Sequence, residues 1–409
     1  MSTLAAPRLC CLDLDTFFVS VERLLDPALE GKPVIVGGRP GQRGVVTACS
    51  YEVRTFGVRS GMSLTDAVRL APREAIFLPT RSDTYGHYSK AVREIAARYS
   101  PVIQVASIDE LYMDLAGCEA LYRKPGDASD DATILRTVRE LTATIKKEQE
   151  LPASVGIATS RSMAKIASGL AKPAGVLLVP GGTEKELLAP LPVRKLPGIG
   201  PVAEAKLSSH GIGTLGQIAS APLPELQQIF GAWAEHVQAG ARGEGSSDLS
   251  RDRPAFREHD LAGDSVGSIS NERTFGRDVR DPSVLEARLC SLCERVCWRA
   301  RKRGVKARTV TLKLRYSDFK TLSRSRTIPP TSSELEIFPV IKELMAKAHT
   351  RGKSIRLLGV ALSNLGFFDN QLSLFEDARR NQAVDGIREK FGYDAVRLAS
   401  GRRFQTRRQ

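Results

Sequence analysis

Leu12-Asp13-Leu14-Asp15-Thr16-Phe17-Phe18 and Ser107-Ile108-Asp109-Glu110 decide how this chain is read. In each, a short β-prone apolar run ends in bare carboxylates. Residues 9–14 and 101–106 read as strands, and 111–115 as a further strand directly after Glu110. Carboxylates at the ends of adjacent strands repel one another unless a cation lies between them. An oxygen-rich, histidine-free set suits Mg²⁺, which also binds substrate phosphates. Two such ions about 3.5–4 Å apart form the clamp of in-line phosphoryl transfer. One strand-end Asp would read as a solvated turn acid; two segments of this composition read as a metal site.

The chain has 409 residues, enough for several domains. Its 60 Lys and Arg outnumber 46 Asp and Glu, for a net charge of +14. The excess is concentrated: residues 265–365 hold 21 basic against 9 acidic side chains, hence +12. Such a segment is the electrostatic footprint of a polyanion, with nucleic acid the default partner. Arg273, Arg315, Arg324 and Arg326 within it are candidate DNA contacts. Residues 1–8 lack a basic stretch followed by an apolar run, and nowhere do 18 apolar residues follow one another, so a cytoplasmic, nucleoid-associated protein without a membrane partner is expected. Seven cysteines without framework spacing read as reduced thiols. Cys290, Cys293 and Cys297 alternate with Leu285, Leu289, Leu292 and Val296 as the apolar stripe of one helix, with no fourth ligand nearby.

Strands are expected at 32–38, 45–48, 154–158 and 175–179, and a helix from a Thr159 or Ser160 cap to about residue 171, stopped by Pro173. Residues 182–245 read as helical, 243–260 as a linker, and 265–365 as a separate α+β domain. In that domain strands are expected at 310–315 and 354–362, and helices at 283–303 and 332–348. From Gly366 onward a tail is expected, with Val384, Ile387, Phe391, Val396 and Leu398 suggesting a short amphipathic helix.

Five further motifs carry chemistry. Phe17 and Phe18 put two rings beside the acids, where one could exclude a 2′-hydroxyl. Tyr51 and Arg54 suit hydrogen bonding to phosphate. Lys165 and Lys172, seven residues apart, lie on nearly one helical face and could hold a triphosphate. Leu196-Pro197-Gly198-Ile199-Gly200-Pro201 is a Gly-x-Gly hairpin between helices, whose exposed backbone N–H groups bind a nucleic-acid phosphate without reading its sequence. Gln371-Leu372-Ser373-Leu374-Phe375 places apolar side chains where a partner groove could capture them.

This ordered set resembles a Y-family translesion DNA polymerase of the bacterial DNA polymerase IV type, over roughly residues 8–375. The resemblance implies an α+β right-hand polymerase: a ferredoxin-like palm (1–19 and 79–181), small fingers (20–78), a helical thumb with a helix-hairpin-helix (182–245), a linker (246–262), a basic α+β little finger (263–365) and a tail (366–409). It implies that Asp13, Asp109, Glu110 and the Leu14 carbonyl hold two Mg²⁺, with Mn²⁺ as a substitute. Phe18 would be the steric gate against ribonucleotides, with Phe17 under the incoming base. Tyr51, Arg54 and Lys172 would bind the triphosphate, and Gly198, Ile199 and Gly200 the DNA backbone. Residues 371–375 are close to the peptide that binds the bacterial sliding clamp. A monomer acting on primer-template DNA and dNTP is expected, copying past damaged bases at low fidelity.

The chain departs from the family pattern at Thr16, where Cys or Tyr is frequent. It also departs at Ala48-Cys49-Ser50, in place of Thr-Ala-Asn, and at Val53, in place of Ala. Two rival readings are a non-catalytic clamp- and DNA-binding adaptor, which would have lost the acids, and a nucleotidyl cyclase, which would need no phosphate-binding hairpin, basic domain or clamp peptide.

Overall fold

Leu9–Leu14 is the central strand of a five-stranded sheet. Across the sheet the order is Val102–Val105, Glu110–Asp114, Leu9–Leu14, Ala153–Ala158 and Val176–Leu178. The central strand pairs antiparallel with both neighbours, and the last pair is parallel. Cys10, Leu12 and Leu14 face helices Ser82–Ala96 and Asp130–Gln149. Leu9 and Cys11 face helix Arg161–Ala171 and the helices that follow it. Burial on both faces explains the continuous apolar run in the sequence. The two-residue period assigns Asp13 to the second face.

This is a computed structural model, and it describes residues 7–249, 267–350, 352–368 and 377–398. The chain divides into two compact units, Met1–Arg257 and Glu258–Gln409.

Within the first unit a small sheet of Ala48–Cys49, Val34–Val36 and Ile76–Leu78 has its own core of Ile35, Cys49, Val53, Leu64 and Ala67. Its strands are shorter than expected. Gly37 follows one of them, at a position where a Cβ would lie 2.2 Å from the Val45 carbonyl oxygen, and Val45 makes an isolated bridge to Ser63. Residues 182–245 are helical as predicted, with Glu184–Leu188, Pro201–Ser209, Leu215–Ser220, Leu223–Phe230 and Ala234–Ala241.

Two expected boundaries move. A palm–fingers division after residue 19 would cut helix Phe17–Leu25, whose Phe17, Val19 and Val21 belong to the sheet's core. The start of the expected linker is docked: Ser160 Oγ donates to the Gly243 carbonyl at 3.2 Å, the Arg161 N–H to Ser246 at 3.1 Å, and Gln104 Nε2 to Leu249 at 2.8 Å. Leu249 is buried, so apolar contact outweighs the Gly/Ser composition there.

The second unit is a four-stranded antiparallel sheet ordered Thr321–Thr331, Lys306–Tyr316, Ile355–Gly366 and Ser268–Val279. Helices Pro282–Lys302 and Glu334–Ala348 cover one face. The inner strands and both helices match expectation. Neither edge strand was foreseen, because both are rich in charged and hydroxyl residues and mostly exposed; the Pro329-Pro330 pair is tolerated only at a sheet edge. Cys290, Cys293 and Cys297 are buried in this unit's core, none of them in a disulfide.

The tail carries a helix, as its sequence suggested, though it begins earlier. Helix Asp377–Phe391 packs on this unit through polar groups. The Arg388 and Glu294 side chains pair at 2.9 Å and are each 1% exposed, Arg301 bridges Asp385 at 2.6 Å and Glu334 at 2.5 Å, and the Leu398 N–H donates to Glu294 at 2.9 Å. Ile387 and Phe391 of the expected apolar face point to solvent. No described helix is long and apolar enough to cross a membrane.

Candidate active site

Sheet register brings the acids together. Asp13 and Glu110 are direct partners across two antiparallel strands, and the Leu14 N–H donates to the Asp109 carbonyl at 2.9 Å. The acidic turn is shaped locally: the Asp109 N–H donates to Ser107 Oγ at 3.2 Å, and that hydroxyl donates to the Asp109 carboxylate. Burial pushes the Asp13 carboxyl above its ordinary range, Lys172 opposes that shift, and the neighbouring charges of Asp109 and Glu110 add to it. Negative charge is therefore concentrated where water is partly excluded.

Two ammonium groups answer that charge. Lys172 Nζ binds the Asp13 carboxylate and lies 3.6 Å from Asp15 Oδ1. Lys165 Nζ binds Glu110. Each lysine draws one acid to itself, and no three described His, Cys, Asp or Glu side chains converge as a closed metal cage. An all-carboxylate donor set carrying mutual repulsion nonetheless suits a hard divalent cation, with the lysine ammoniums standing where such charge is needed.

Asp15 is the residue sequence reasoning missed. It is 1% exposed. One carboxylate oxygen accepts from Ser154 Oγ at 2.8 Å and from the Ala174 N–H at 2.7 Å, and the other from Tyr51 Oη at 3.5 Å. It thus ties the first strand to the segment bearing Lys172 and to the tyrosine of the small-sheet region. Its place in the quoted motif was visible; its partners, distant in sequence, were not.

Phe18 is half-buried and stacks on Tyr85, with ring centroids 4.1 Å apart and planes at 13°. Tyr85 is fixed from behind by donating to Glu22 Oε1 at 2.6 Å. Phe17 is 3% exposed and underpins Phe18 from the core. Tyr51 opens helix Tyr51–Arg54, and the Arg54 guanidinium lies 4.7 Å over its ring. Ser50, one of the departures from the family pattern, is turned inward and accepts from the Val34 N–H at 3.1 Å.

The hairpin follows a short 3₁₀ turn, Val193–Lys195, rather than a full helix. Gly198 has φ +95°, and a Cβ there would lie 2.5 Å from the Trp233 ring, so only glycine fits. Gly200 caps helix Pro201–Ser209, while Ile199 is buried and anchors the turn.

In the second unit the four candidate arginines separate. Arg315 pairs with Thr321 and Leu357 on the sheet face that the helices leave open. Arg324 and Arg326 are register partners of the buried Leu312 and Val310, and Arg273 of the buried Leu358. These three therefore lie at the sheet's edges on the helix side, and Arg326 pairs with Glu343 at 2.5 Å. The open face is instead lined by Thr309, Thr311, Ser323 and Ser325, with Lys313 paired to Glu272 at 2.8 Å. The expected clamp peptide, residues 371–375, lies outside the described residues.

The impB/mucB/samB family model matches residues 12–169, the family's C-terminal domain residues 266–374, and its HHH motif residues 182–212. The chain is 39% identical over 399 residues to DNA polymerase IV of Dehalococcoides mccartyi strain 195, covering 96% of this chain and 97% of that one. It is 38% identical to DNA polymerase IV of Streptomyces coelicolor, covering 94% and 76%. This chain belongs to the Y family of DNA polymerases. Among solved structures, a Y-family chimera of Dbh and Dpo4 superposes with a TM-score of 0.71 at 25% identity, covering 87% of this chain and 98% of the other. The insertion ternary complex of Dbh DNA polymerase does so at 0.58, with the same identity and coverage. The Y-family polymerase is thus an α+β right-hand enzyme of the DNA polymerase IV type. It is a DNA-directed DNA polymerase whose reaction is low-fidelity, template-directed synthesis past damaged bases. The acids that a non-catalytic adaptor would lack are in place. Enzymes of this family depend on divalent metal.

Proposed function

We propose that Asp13, Asp109, Glu110 and the Leu14 carbonyl hold two Mg²⁺, which Mn²⁺ can replace, and that beside them the primer 3′-hydroxyl, losing its proton, attacks the α-phosphorus of a dNTP and expels pyrophosphate. The observation that carries this reading is the register pairing of Asp13 with Glu110. When bound, the metal ions supply charge neutralisation at the phosphoryl centre and a more acidic 3′-hydroxyl.

The remaining work falls to this chain's own groups. Lys172, Arg54 and Tyr51 bind the triphosphate oxygens, and Asp15 holds Lys172 and Tyr51 in place. Phe18, backed by Tyr85, fills the space a 2′-hydroxyl would need. The Gly198–Gly200 turn donates backbone N–H groups to a DNA phosphate. The second unit supplies sequence-independent affinity, Arg315 from its open face and Arg273, Arg324 and Arg326 from its edges. Catalysis thus rests on positioning and preorganised charge. Residues 371–375 bind a sliding clamp, and the enzyme works as a cytoplasmic, nucleoid-associated monomer.

Primer extension on primed DNA with Mg²⁺, comparing the natural chain with Asp109→Ala, tests the reading. Extension by the natural chain alone is expected; extension by both would remove Asp109 from the metal site.

A further inference from the structure

Helix Pro282–Lys302 has two distinct faces. Leu285, Leu289, Leu292 and Val296 enter the second unit's core. On the side turned away from the sheet, Arg288, Ser291, Arg295, Trp298 and Lys302 recur every three or four residues and form one stripe. From Arg288 to Lys302 it runs about 21 Å. The tail completes it. Arg397 Nη1 donates to Ser291 Oγ at 3.4 Å. Tyr393 packs on Trp298 with ring centroids 5.0 Å apart. The guanidiniums of Arg295, Arg388 and Arg397 lie 4.7, 4.9 and 5.8 Å from the Tyr393 centroid, and Lys302 Nζ lies 5.7 Å from that of Trp298. Arg388 is paired with Glu294 and Arg397 with Asp394. Among the described residues, Arg295 and Lys302 meet an aromatic face and no carboxylate. Burial, and after it the charges of Arg273 and Arg397, hold the Arg288 guanidinium below its ordinary range.

Cations crowded in this way are relieved by an anion placed among them. A guanidinium stacked on a ring still presents its N–H edge, the geometry of bidentate phosphate contact. Cations and rings set in one line suit a single strand: the charges follow its backbone and the rings meet its bases or sugars. At a stacked repeat of about 3.4 Å the stripe spans about six nucleotides. We infer that this stripe, built jointly by helix Pro282–Lys302 and the tail, binds single-stranded DNA on the side of the second unit away from its open sheet face. An acidic peptide would use the guanidiniums but leave the interleaved rings without a role. The docked tail is what makes the site, since it brings Tyr393, which aligns Arg295, and Arg397. The assignment is independent of the metal-site reading and of the open face.

Trp233 and Trp298 are the chain's two tryptophans, so Trp233→Phe leaves Trp298, within the stripe, as the sole indole reporter in the full chain. Fully paired primer-template DNA should change its emission little. Short oligo-dT, added to protein already saturated with that primer-template, should change it strongly. Arg295→Ala with Arg397→Ala should lower the oligo-dT affinity about tenfold and make its log–log salt slope shallower by about 1.4, at about 0.7 per lost phosphate contact. The same variant should extend primer-template as the natural chain does. Arg295→Lys with Arg397→Lys, which keeps the charge, should restore most of the affinity, separating lost charge from a disturbed tail. Oligo-dT binding that leaves Trp298 emission unchanged, or that saturating primer-template abolishes, overturns the proposal. So does an unaltered affinity and salt slope in the double alanine variant. A polyglutamate peptide that changes Trp298 emission where oligo-dT does not would overturn it in favour of an acidic protein partner.

Discussion

Asp13 and Glu110 face each other directly across two antiparallel strands, and each is bound by its own lysine, Lys172 and Lys165. The pair shows how a family of short motifs becomes one site: strand register converts residues far apart in sequence into neighbours, and buried charge then recruits cations. Replacing Asp13 or Asp109 by Ala should lower primer extension by more than about 100-fold, beyond the cost usual for groups that merely orient a metal ligand. DNA binding should persist or tighten slightly, since a negative charge is lost. Gel-shift and extension assays on the same preparations check both halves.

Phe18 owes its position to a stacked and hydrogen-bonded support, Tyr85 on Glu22. Phe18→Ala should raise ribonucleotide incorporation with little effect on dNTP use. Tyr85→Phe, which removes the donor to a buried carboxylate, should cost about 1–3 kcal/mol of stability. Unchanged sugar selectivity in Phe18→Ala would exclude it as the gate.

Asp15 joins three parts of the site without facing the acids' open side. Asp15→Asn should keep the fold and raise the KM for dNTP, because Lys172 and Tyr51 lose a shared anchor. Single-turnover kinetics across dNTP concentration distinguish this from a loss of chemistry; a fall in rate at saturating dNTP with unchanged KM would argue for a direct metal role instead.

The Arg388–Glu294 pair is buried on both sides. Breaking it with Arg388→Met should destabilise the second unit by about 3–5 kcal/mol, since Glu294 is left buried and uncompensated. The double variant Arg388→Met, Glu294→Gln should recover much of that. Denaturant melting of the full chain carrying Trp233→Phe, followed through Trp298, reads the difference.

Deleting residues 371–375 should leave distributive synthesis intact and abolish stimulation by a sliding clamp. DNA affinity should fall steeply with salt, as expected when basic groups neutralise phosphates. A clamp response that survives the deletion rules out the peptide, and a flat salt response rules out the electrostatic role of the second unit.

Much of this was present in the sequence. The acids, the two phenylalanines, Tyr51, Arg54, Lys172 and the Gly198–Gly200 turn stood out as candidates because their chemistry is local: a carboxylate after a β-prone run, or a glycine where φ must be positive. The inner strands and long helices were legible because burial writes a period into the chain. Edge strands 268–279 and 321–331 carry no such period, being exposed along most of their length. Tertiary structure alone decided three things. A register settled one residue at a time put Arg315 on the open face and turned Arg273, Arg324 and Arg326 to the other. Contacts distant in sequence made Asp15 the keystone of the lysine segment and set Trp233 against Gly198. Polar groups buried in pairs docked the tail helix, while its Ile387 and Phe391 stayed in water. In each case the deciding quantity was which groups lose water together, and that is set by the fold as a whole.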